Sequence, residues 1–401
     1  ENADLKYYYP TSTLVTAPEI IFFWVARMVM AGYEFLGQKP FDKVYFTGIV
    51  RDKQGRKMSK QLGNSPDLLQ LIEDHGADAV RFSVMISSPA GNDLLFDDSQ
   101  LEQGSFFCNK MWNALKLIKG WENRVGEVDD SNILFAIEWM EARMAATATE
   151  VEELMKDFRL SEGLKTSYSL IWNDFCSWYL EWVKPGMEQP VSKNVYDKTV
   201  SIFEQLMQLL HPYMPFITEE IYHLLQERAH GDDIIIKQLP HFAVPDTQIL
   251  RYGQMLQEVI TAVRDCRNKS RLKPKEAIKL AIQTNSQDFY NRVLNILSRQ
   301  VNADEVSFTS ESVQGAISLV VQTDKLFVTA ETGGIDTAEQ KEQMLKDIAY
   351  LQGFLVSIDK KLGNERFMAN AKPEVIEAEK KKQSDALARI KTLEESIAQL
   401  G

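Results

Sequence analysis

At 401 residues the chain is long enough for two or three domains of ~150 residues each, which excludes a small scaffold stapled by disulfides. Hydrophobic residues at 44% and charged residues at 25% exclude a natively disordered chain. With 45 Lys and Arg against 57 Asp and Glu, the net charge of -12 excludes indiscriminate binding to nucleic acid over the whole surface, so a polyanionic partner must find local basic patches.

Cys108, Cys176 and Cys266 are far apart, and the five histidines form no spacing that joins them as zinc ligands, so no protein-bound metal is expected. A reduced cytoplasm is the simplest setting for such a chain. Its longest apolar run, Ile20 to Val25, falls far short of the ~18 residues that a membrane span needs. The start, Glu1-Asn2-Ala3-Asp4, lacks an initiator Met and a signal-like pattern, and reads as a cut inside a larger protein.

Residues from Leu5 to about Asp98 alternate short β-rich and helical runs: Ile20 to Phe35 predicts a helix, and Lys43 to Val50 a buried strand. Arg51 to Lys60 follows with five basic residues, one acid and Gly55, the composition of a mobile basic loop. The next helix is expected to be capped by Ser65, with Pro66 in its first turn and Gly76 ending it. From about Gln100 to Glu227 the period is near 3.6, over Phe107 to Trp121, Ile137 to Leu160, Leu164 to Trp182 and Val195 to Leu210, which predicts a helical bundle. Turn formers between Gly231 and Pro245 place a boundary near 245. A small α/β unit is expected next, with helices over Tyr252 to Asn268 and Ser286 to Arg299 and strands over Ala277 to Thr284, Ile317 to Thr323 and Leu326 to Ala330.

Beyond Gly333-Gly334, Met344, Ile348, Leu351, Leu355, Ile358 and Leu362 form one heptad seam, and Gln383, Ala386, Ile390, Leu393, Ile397 and Leu400 another. The break between them, Gly363-Asn364 to Lys372-Pro373, reverses the chain, so an antiparallel coiled-coil hairpin is predicted.

Chemistry concentrates in Gly55-Arg56-Lys57-Met58-Ser59-Lys60, between the expected strand and the capped helix. Two lysines on a loop at a strand's carboxyl end stand where open α/β sheets bind ligands. The second glycine of a phosphate loop is missing, and a solvated basic loop would have the same composition.

Lys57-Met58-Ser59-Lys60-Gln61 resembles the lysine loop of the class I aminoacyl-tRNA synthetases, with four of five positions kept. Ile20 to Met28 and Gly48-Ile49-Val50-Arg51-Asp52 are similar to the valyl subgroup, and so, in later domains, are Gly76 to Phe82 and His211 to Ile221. The hairpin favours the valyl over the isoleucyl subgroup, whose cysteine-ligated terminal zinc module three scattered cysteines cannot build.

The resemblance implies a valine–tRNA ligase that uses ATP, with Mg2+, to activate valine and pass it to tRNA(Val). It implies a mixed, mostly α fold of four parts: residues 1–98, the later part of a Rossmann-like catalytic domain; 99–245, a helical anticodon-binding domain; 246–334, an α/β connector; and 335–401, a tRNA-binding coiled-coil arm. Lys57 and Lys60 are the catalytic candidates, because negative charge grows on the departing pyrophosphate and cations placed to meet it lower the barrier. ATP contacts are expected from Lys57, Met58, Ser59, Lys60, Glu19 and Gly48.

The chain departs from the family at Ala17-Pro18-Glu19, where relatives have Gly-x-Asp, at Gln61 in place of serine, and at Thr47 in place of histidine. The family's early His-x-Gly-His motif is also unmet, the first histidine being His75. The inserted editing domain is missing too. Valyl enzymes are the standard example of a site that needs one, since an apolar pocket rejects threonine poorly. The chain alone is therefore expected neither to activate valine nor to edit.

Arg264, Arg267, Lys269 and Arg271, with Lys360, Lys361, Arg366 and Lys372 around the hairpin's reversal, are the expected tRNA contacts. The alternatives are a catalytically silent RNA-binding or scaffold protein and a dimerising coiled coil, against an expected monomer. The aromatic run Trp172, Phe175, Trp178, Tyr179, Trp182 reads as bundle core before it reads as a base-stacking face, and His211 as a packing residue.

Overall fold

The computed structural model describes residues 2–400 apart from 89–90, 271, 274, 331–336, 365–366, 368–370 and 372. It is mostly helical, 62%, with small sheets, and divides into two compact units: residues 1–130 with 136–247, and residues 131–135 with 248–401.

In the first unit, α1 (Ala3–Tyr8) leads into β1 (Thr11–Thr16), which pairs in parallel with β2 (Phe41–Phe46). Between them a 3-10 turn, Pro18–Ile20, and a π-helical turn, Ile21–Val25, run into α2 (Ala26–Leu36), closed by Gly37 with φ +68°. The predicted strand over Lys43 to Val50 is corrected in two respects. It breaks after Phe46 and resumes as β3 (Val50–Arg51), paired with β4 (Leu94–Leu95), and β2 is half-buried at most. Gly48 explains the break, because a Cβ there would lie 1.7 Å from the Asn92 carbonyl oxygen.

The face carrying Ile20 to Phe35 is open to solvent: Phe22 and Phe35 are each 81% exposed, Met30 71%.

The helix after the loop, α3 (Leu68–His75), is capped by Asp67, whose carboxylate accepts from Leu69 N at 2.9 Å; the cap falls two residues after the expected Ser65. Then come α4 (Ala77–Ile86), α5 (Asp98–Glu122), α6 (Leu134–Lys156), α7 (Leu160–Ser169), a π-helical stretch over Leu170–Tyr179, α8 (Leu180–Val183), α9 (Lys193–Leu210) and α10 (Pro215–Leu225). Short strands β5 (Val125–Gly126) and β6 (Val191–Ser192) pair in parallel. Phe82, Phe107, Trp139, Phe175, Tyr179, Trp182 and Phe203 are buried, each large apolar side chain contributing ~1.5–3 kcal/mol.

Two motifs singled out in the sequence clasp each other here. Asp78 of α4 accepts from Ile217 N at 2.6 Å at the start of α10, and Arg81 donates to the carbonyls of Tyr213 (3.0 Å) and Pro212 (3.1 Å).

In the second unit, α11 (Thr247–Lys269) and α12 (Gln287–Val301) accompany a four-stranded sheet of order β8-β7-β10-β9: β7 (Ile278–Gln283), β8 (Ala303–Phe308), β9 (Ile317–Val321) and β10 (Asp324–Thr329). β8 runs parallel to β7, so α12 is a crossover helix. Two long helices follow, α13 (Thr337–Leu362) and α14 (Pro373–Leu400). They run antiparallel, for Asp359 meets Gln383 at 2.6 Å while Lys361 meets Glu379 at 3.6 Å. Met344, Ile348, Leu351, Ala386, Ile390 and Leu393 form their buried seam with Val320 of β9. Gly333-Gly334 lie outside the described residues.

Candidate functional site

The lysine loop is a folded structure. After β3, Asp52 N donates to Arg56 O and Gly55 N to Asp52 O, both at 2.9 Å, a turn that needs the positive φ (+76°) of Gly55. Lys57 then bridges back to Arg51 in antiparallel fashion. Ser59 caps a 3-10 turn, Lys60–Leu62, accepting from Gln61 N at 3.2 Å, and Gly63 ends it with φ +65°.

One carboxylate anchors the turn. Asp52 accepts from Gln54 N (3.0 Å), Arg56 N (2.8 Å), Arg56 Nε (2.8 Å) and Asn64 Nδ2 (2.9 Å). These donors, Asn64 foremost, hold its carboxyl well below the usual carboxylate range. Asn64 also accepts from Ser59 N at 2.8 Å and donates to Lys57 O at 3.3 Å. Alongside, Arg51 pairs with Asp93, which accepts from Ile49 N at 3.0 Å; the Arg51 hydrogen bond lowers the Asp93 pKa.

Of the expected ATP contacts, Lys57 and Glu19 come together, Nζ to Oε2 at 3.1 Å, with 60% and 55% of their side chains exposed. Lys60 is exposed, and its ammonium group makes no hydrogen bond or ion pair among the described residues, while its carbonyl accepts from Gly63 N at 3.3 Å. Met58 is half-buried in a cleft of about 380 Å³, lined also by Gly63, Pro66 and Phe96. Gly48 lies against the Asn92 backbone. Sequence alone assigns nothing to Asp52, Asn64 or Asp93; the signal it offers is an Asp and an Asn flanking the two lysines.

The expected RNA contacts separate. Lys269, Lys360 and Lys361 are exposed, and Arg264 reaches Gln300 Oε1 at 2.7 Å. Arg267 is a correction: only 7% exposed, it donates to the carbonyls of Val301 (3.2 Å), Lys273 (2.9 Å) and Glu276 (2.6 Å). It pins the chain around β7 and has no guanidinium face left for a phosphate. Arg271, Arg366 and Lys372 lie outside the described residues.

In the aromatic run Phe175, Tyr179 and Trp182 are core, while Trp172 is half-buried and stacks on Tyr168 at 5.6 Å. Trp178, also half-buried, packs beside Trp182 at 5.9 Å. His211 Nδ1 bonds Thr218 Oγ1 at 2.8 Å, and burial lowers its pKa. Glu219, His223 and Asp233 bring ligand-type atoms within 4.8 Å of one another. They are engaged already: Glu219 accepts from Ile234 N at 2.7 Å and His223 Nε2 lies 3.1 Å from Asp233, so the group fastens residues 232–236 to α10.

Three family models match in order: "tRNA synthetases class I (I, L, M and V)" over residues 1–97, "Anticodon-binding domain of tRNA ligase" over 138–282, and "Valyl tRNA synthetase tRNA binding arm" over 336–401. Valine–tRNA ligases of Parabacteroides distasonis and Enterococcus faecalis are 46% and 35% identical over 402 and 412 residues, in both cases 100% of this chain. The chain spans 45% and 46% of their lengths. Among solved structures, the Agrobacterium radiobacter LeuRS in ternary complex with tRNA aligns over 74% of this chain and 37% of its own, with 14% identity and a TM-score of 0.44. Mycobacterium tuberculosis methionyl-tRNA synthetase bound by methionyl-adenylate aligns over 62% and 52%, with 18% identity and a TM-score of 0.45. The chain belongs to the class I aminoacyl-tRNA synthetases, and within them to the valyl-tRNA synthetase family.

Proposed function

We propose that this chain forms the later part of a valine–tRNA ligase, which activates valine with Mg2+-bound ATP and transfers it to tRNA(Val). The observation that carries the reading is whole-chain similarity to valine–tRNA ligases, 46% identity over 402 residues, combined with a folded loop that presents two lysines. Residues 1–98 are read as part of the nucleotide-binding domain, 99–245 as the anticodon-binding bundle, 246–334 as a connector, and 335–401 as a coiled-coil arm that grips tRNA. The solvent-facing aromatics of residues 20–36 are read as the seat of the rest of the nucleotide-binding fold.

In the reaction a valine carboxylate oxygen attacks the α-phosphorus of ATP, a P–O bond forms, and pyrophosphate leaves with the electron pair of the broken bond. Lys57 and Lys60 meet the charge that accumulates on that leaving group. The exposed Glu19 partner of Lys57 is weakly held and exchangeable for a polyphosphate, which frees Glu19 for the ribose hydroxyls. Met58 docks the loop on its apolar cleft, Ser59 sets the turn that carries Lys60, and Gly48 lets the Asn92 backbone close in beside the strand end where the nucleotide is read to lie. Arg264, Lys269, Lys360 and Lys361, joined by Arg271, Arg366 and Lys372, are read as phosphate contacts; Arg267 is removed from that set.

The direct test is aminoacylation by the gene product that contains this chain. Valine charging of tRNA(Val) is expected, and the 401-residue chain alone is expected to bind tRNA in a salt-sensitive, saturable manner without charging it. A gene product that charges no tRNA with valine would refute the ligase reading and leave the silent RNA-binding alternative.

A further inference from the structure

The lysine loop is fastened at both ends by one pair of side chains that the proposed chemistry does not otherwise use. Asp52, at the start of the loop, is only 12% exposed and is saturated by N–H donors: Gln54 N, Arg56 N and Arg56 Nε from within the turn, and Asn64 Nδ2 from twelve residues on. Asn64, at the far end, holds Ser59 N with its oxygen at 2.8 Å and Lys57 O with its amide at 3.3 Å. One side chain therefore contacts the backbone of the first lysine, the backbone of the serine that caps the turn under the second, and the carboxylate that shapes the entry turn.

We propose that Asp52 and Asn64 are positioning residues for the reaction. Their amide-to-carboxylate contact sets where the ammonium groups of Lys57 and Lys60 stand when the triphosphate is bound. This rests on the ligase reading above. Neither side chain needs to touch the substrate, since both act through the loop backbone. Misplacing a charge-stabilising group by about 1 Å costs on the order of 10²-fold in rate, and the Asp52–Asn64 bond spans the segment on which both cations ride. The bond from the Asn64 amide to the Asp52 carboxylate has a polarity that can be inverted. Exchanging the acid and the amide keeps one donor facing one acceptor. It also keeps an oxygen at position 52 for Gln54 N and Arg56 N and one at position 64 for Ser59 N, while giving up the contacts to Arg56 Nε and Lys57 O, which would then face an N–H and a carboxylate oxygen.

The test uses the gene product that contains this chain, valine-dependent ATP–pyrophosphate exchange, and three proteins: wild type, Asn64→Asp, and the exchanged double variant Asp52→Asn with Asn64→Asp. Asn64→Asp sets two carboxylates face to face. It is expected to lower kcat about 10²-fold, with the KM for valine unchanged. The double variant is expected to be at least about tenfold faster than Asn64→Asp, with a melting temperature between those of the single variant and the wild type, because the bonds to Arg56 Nε and Lys57 O are not restored. A merely structural role would move the KM for valine along with kcat and would make kcat follow melting temperature across the three proteins. The proposal is overturned if Asn64→Asp exchanges like the wild type, or if the double variant is no faster than the single one. A wild type without valine-dependent exchange would instead bring down the ligase reading, and the positioning role with it.

Discussion

The pKa values of Asp52 and His211 are both lowered in the folded chain, so both make stability fall as pH drops, in different pH windows that can be checked separately. Hydrogen bonds from Asn64 and Arg56 depress the Asp52 pKa from its ordinary 3.8, so its contribution to stability is fully present above about 3.8 and is lost as pH falls through the folded-state value. Asp52→Asn is therefore expected to lower the melting temperature at pH ~7, with a penalty that shrinks progressively as pH falls below about 3.8 toward the folded-state value. A penalty that stayed constant with pH would remove the charge from the explanation. His211 is depressed from 6.5 by burial, with Glu219 and Asp78 only partly opposing. The unfolded chain takes up its proton first, and stability falls as pH drops below about 6.5. Between pH ~7.5 and ~5.5 the wild type is expected to lose more melting temperature than His211→Asn, in which an amide can keep the bond to Thr218. Equal losses would show that another group is titrating.

The cysteines give a third residue-scale outcome. Cys176 is buried, which pushes its thiol up to about 12, and burial raises Cys266 as well. Alkylation at neutral pH should leave both unmodified in the folded protein and label them once denaturant is added.

At the scale of elements, close approach decides more than propensity. A Cβ on Gly104 of α5 would lie 2.8 Å from both Cα and O of Ala79 in α4, a backbone clash that cannot yield cheaply. Gly104→Ala should therefore destabilise the first unit by ~1–3 kcal/mol, whereas Gly120→Ala on the same helix meets nothing within 4 Å and should be neutral or slightly stabilising. Denaturant melts of the two variants make the comparison.

The same physics explains which elements are legible in the sequence. The seams of α13 and α14 can be read from spacing because apolar side chains repeating every three and four residues have no other way to be buried. The edge strand β8 escapes such a reading because Ala303, Asp304, Glu305 and Ser307 give it a polar, half-exposed pattern that resembles loop. The run Lys43 to Val50 reads as one strand because nothing local announces that Asn92 will close on Gly48. At the site, Lys57 and Lys60 are visible through a motif, while Asp52 and Asn64 are not, because their roles exist only once the loop has turned back. Arg267 groups with its exposed neighbours because charge along a helix does not say which cation faces the strands beside it.

For the molecule as a whole, a net charge of -12 means that RNA affinity must come from few cations, so each should matter. Lys360 and Lys361 sit at the end of α13, where the chain reverses, and both are exposed. Replacing both with alanine is expected to weaken tRNA binding evenly across sequences and to reduce the slope of log affinity against log salt by about 1 for each phosphate no longer neutralised. Ile390→Asp, which puts a charge in the buried seam, should weaken binding by unfolding the arm, visible as reduced helicity that the lysine variants do not show.

The central claim is that the loop's cations meet a developing pyrophosphate. Valine-dependent ATP–pyrophosphate exchange by the gene product containing this chain, with and without Lys60→Ala, tests it most directly. The account predicts robust exchange in the wild type and a kcat lower by ~10²–10³-fold in the variant; a Lys60→Ala enzyme exchanging within about twofold of the wild type would contradict it.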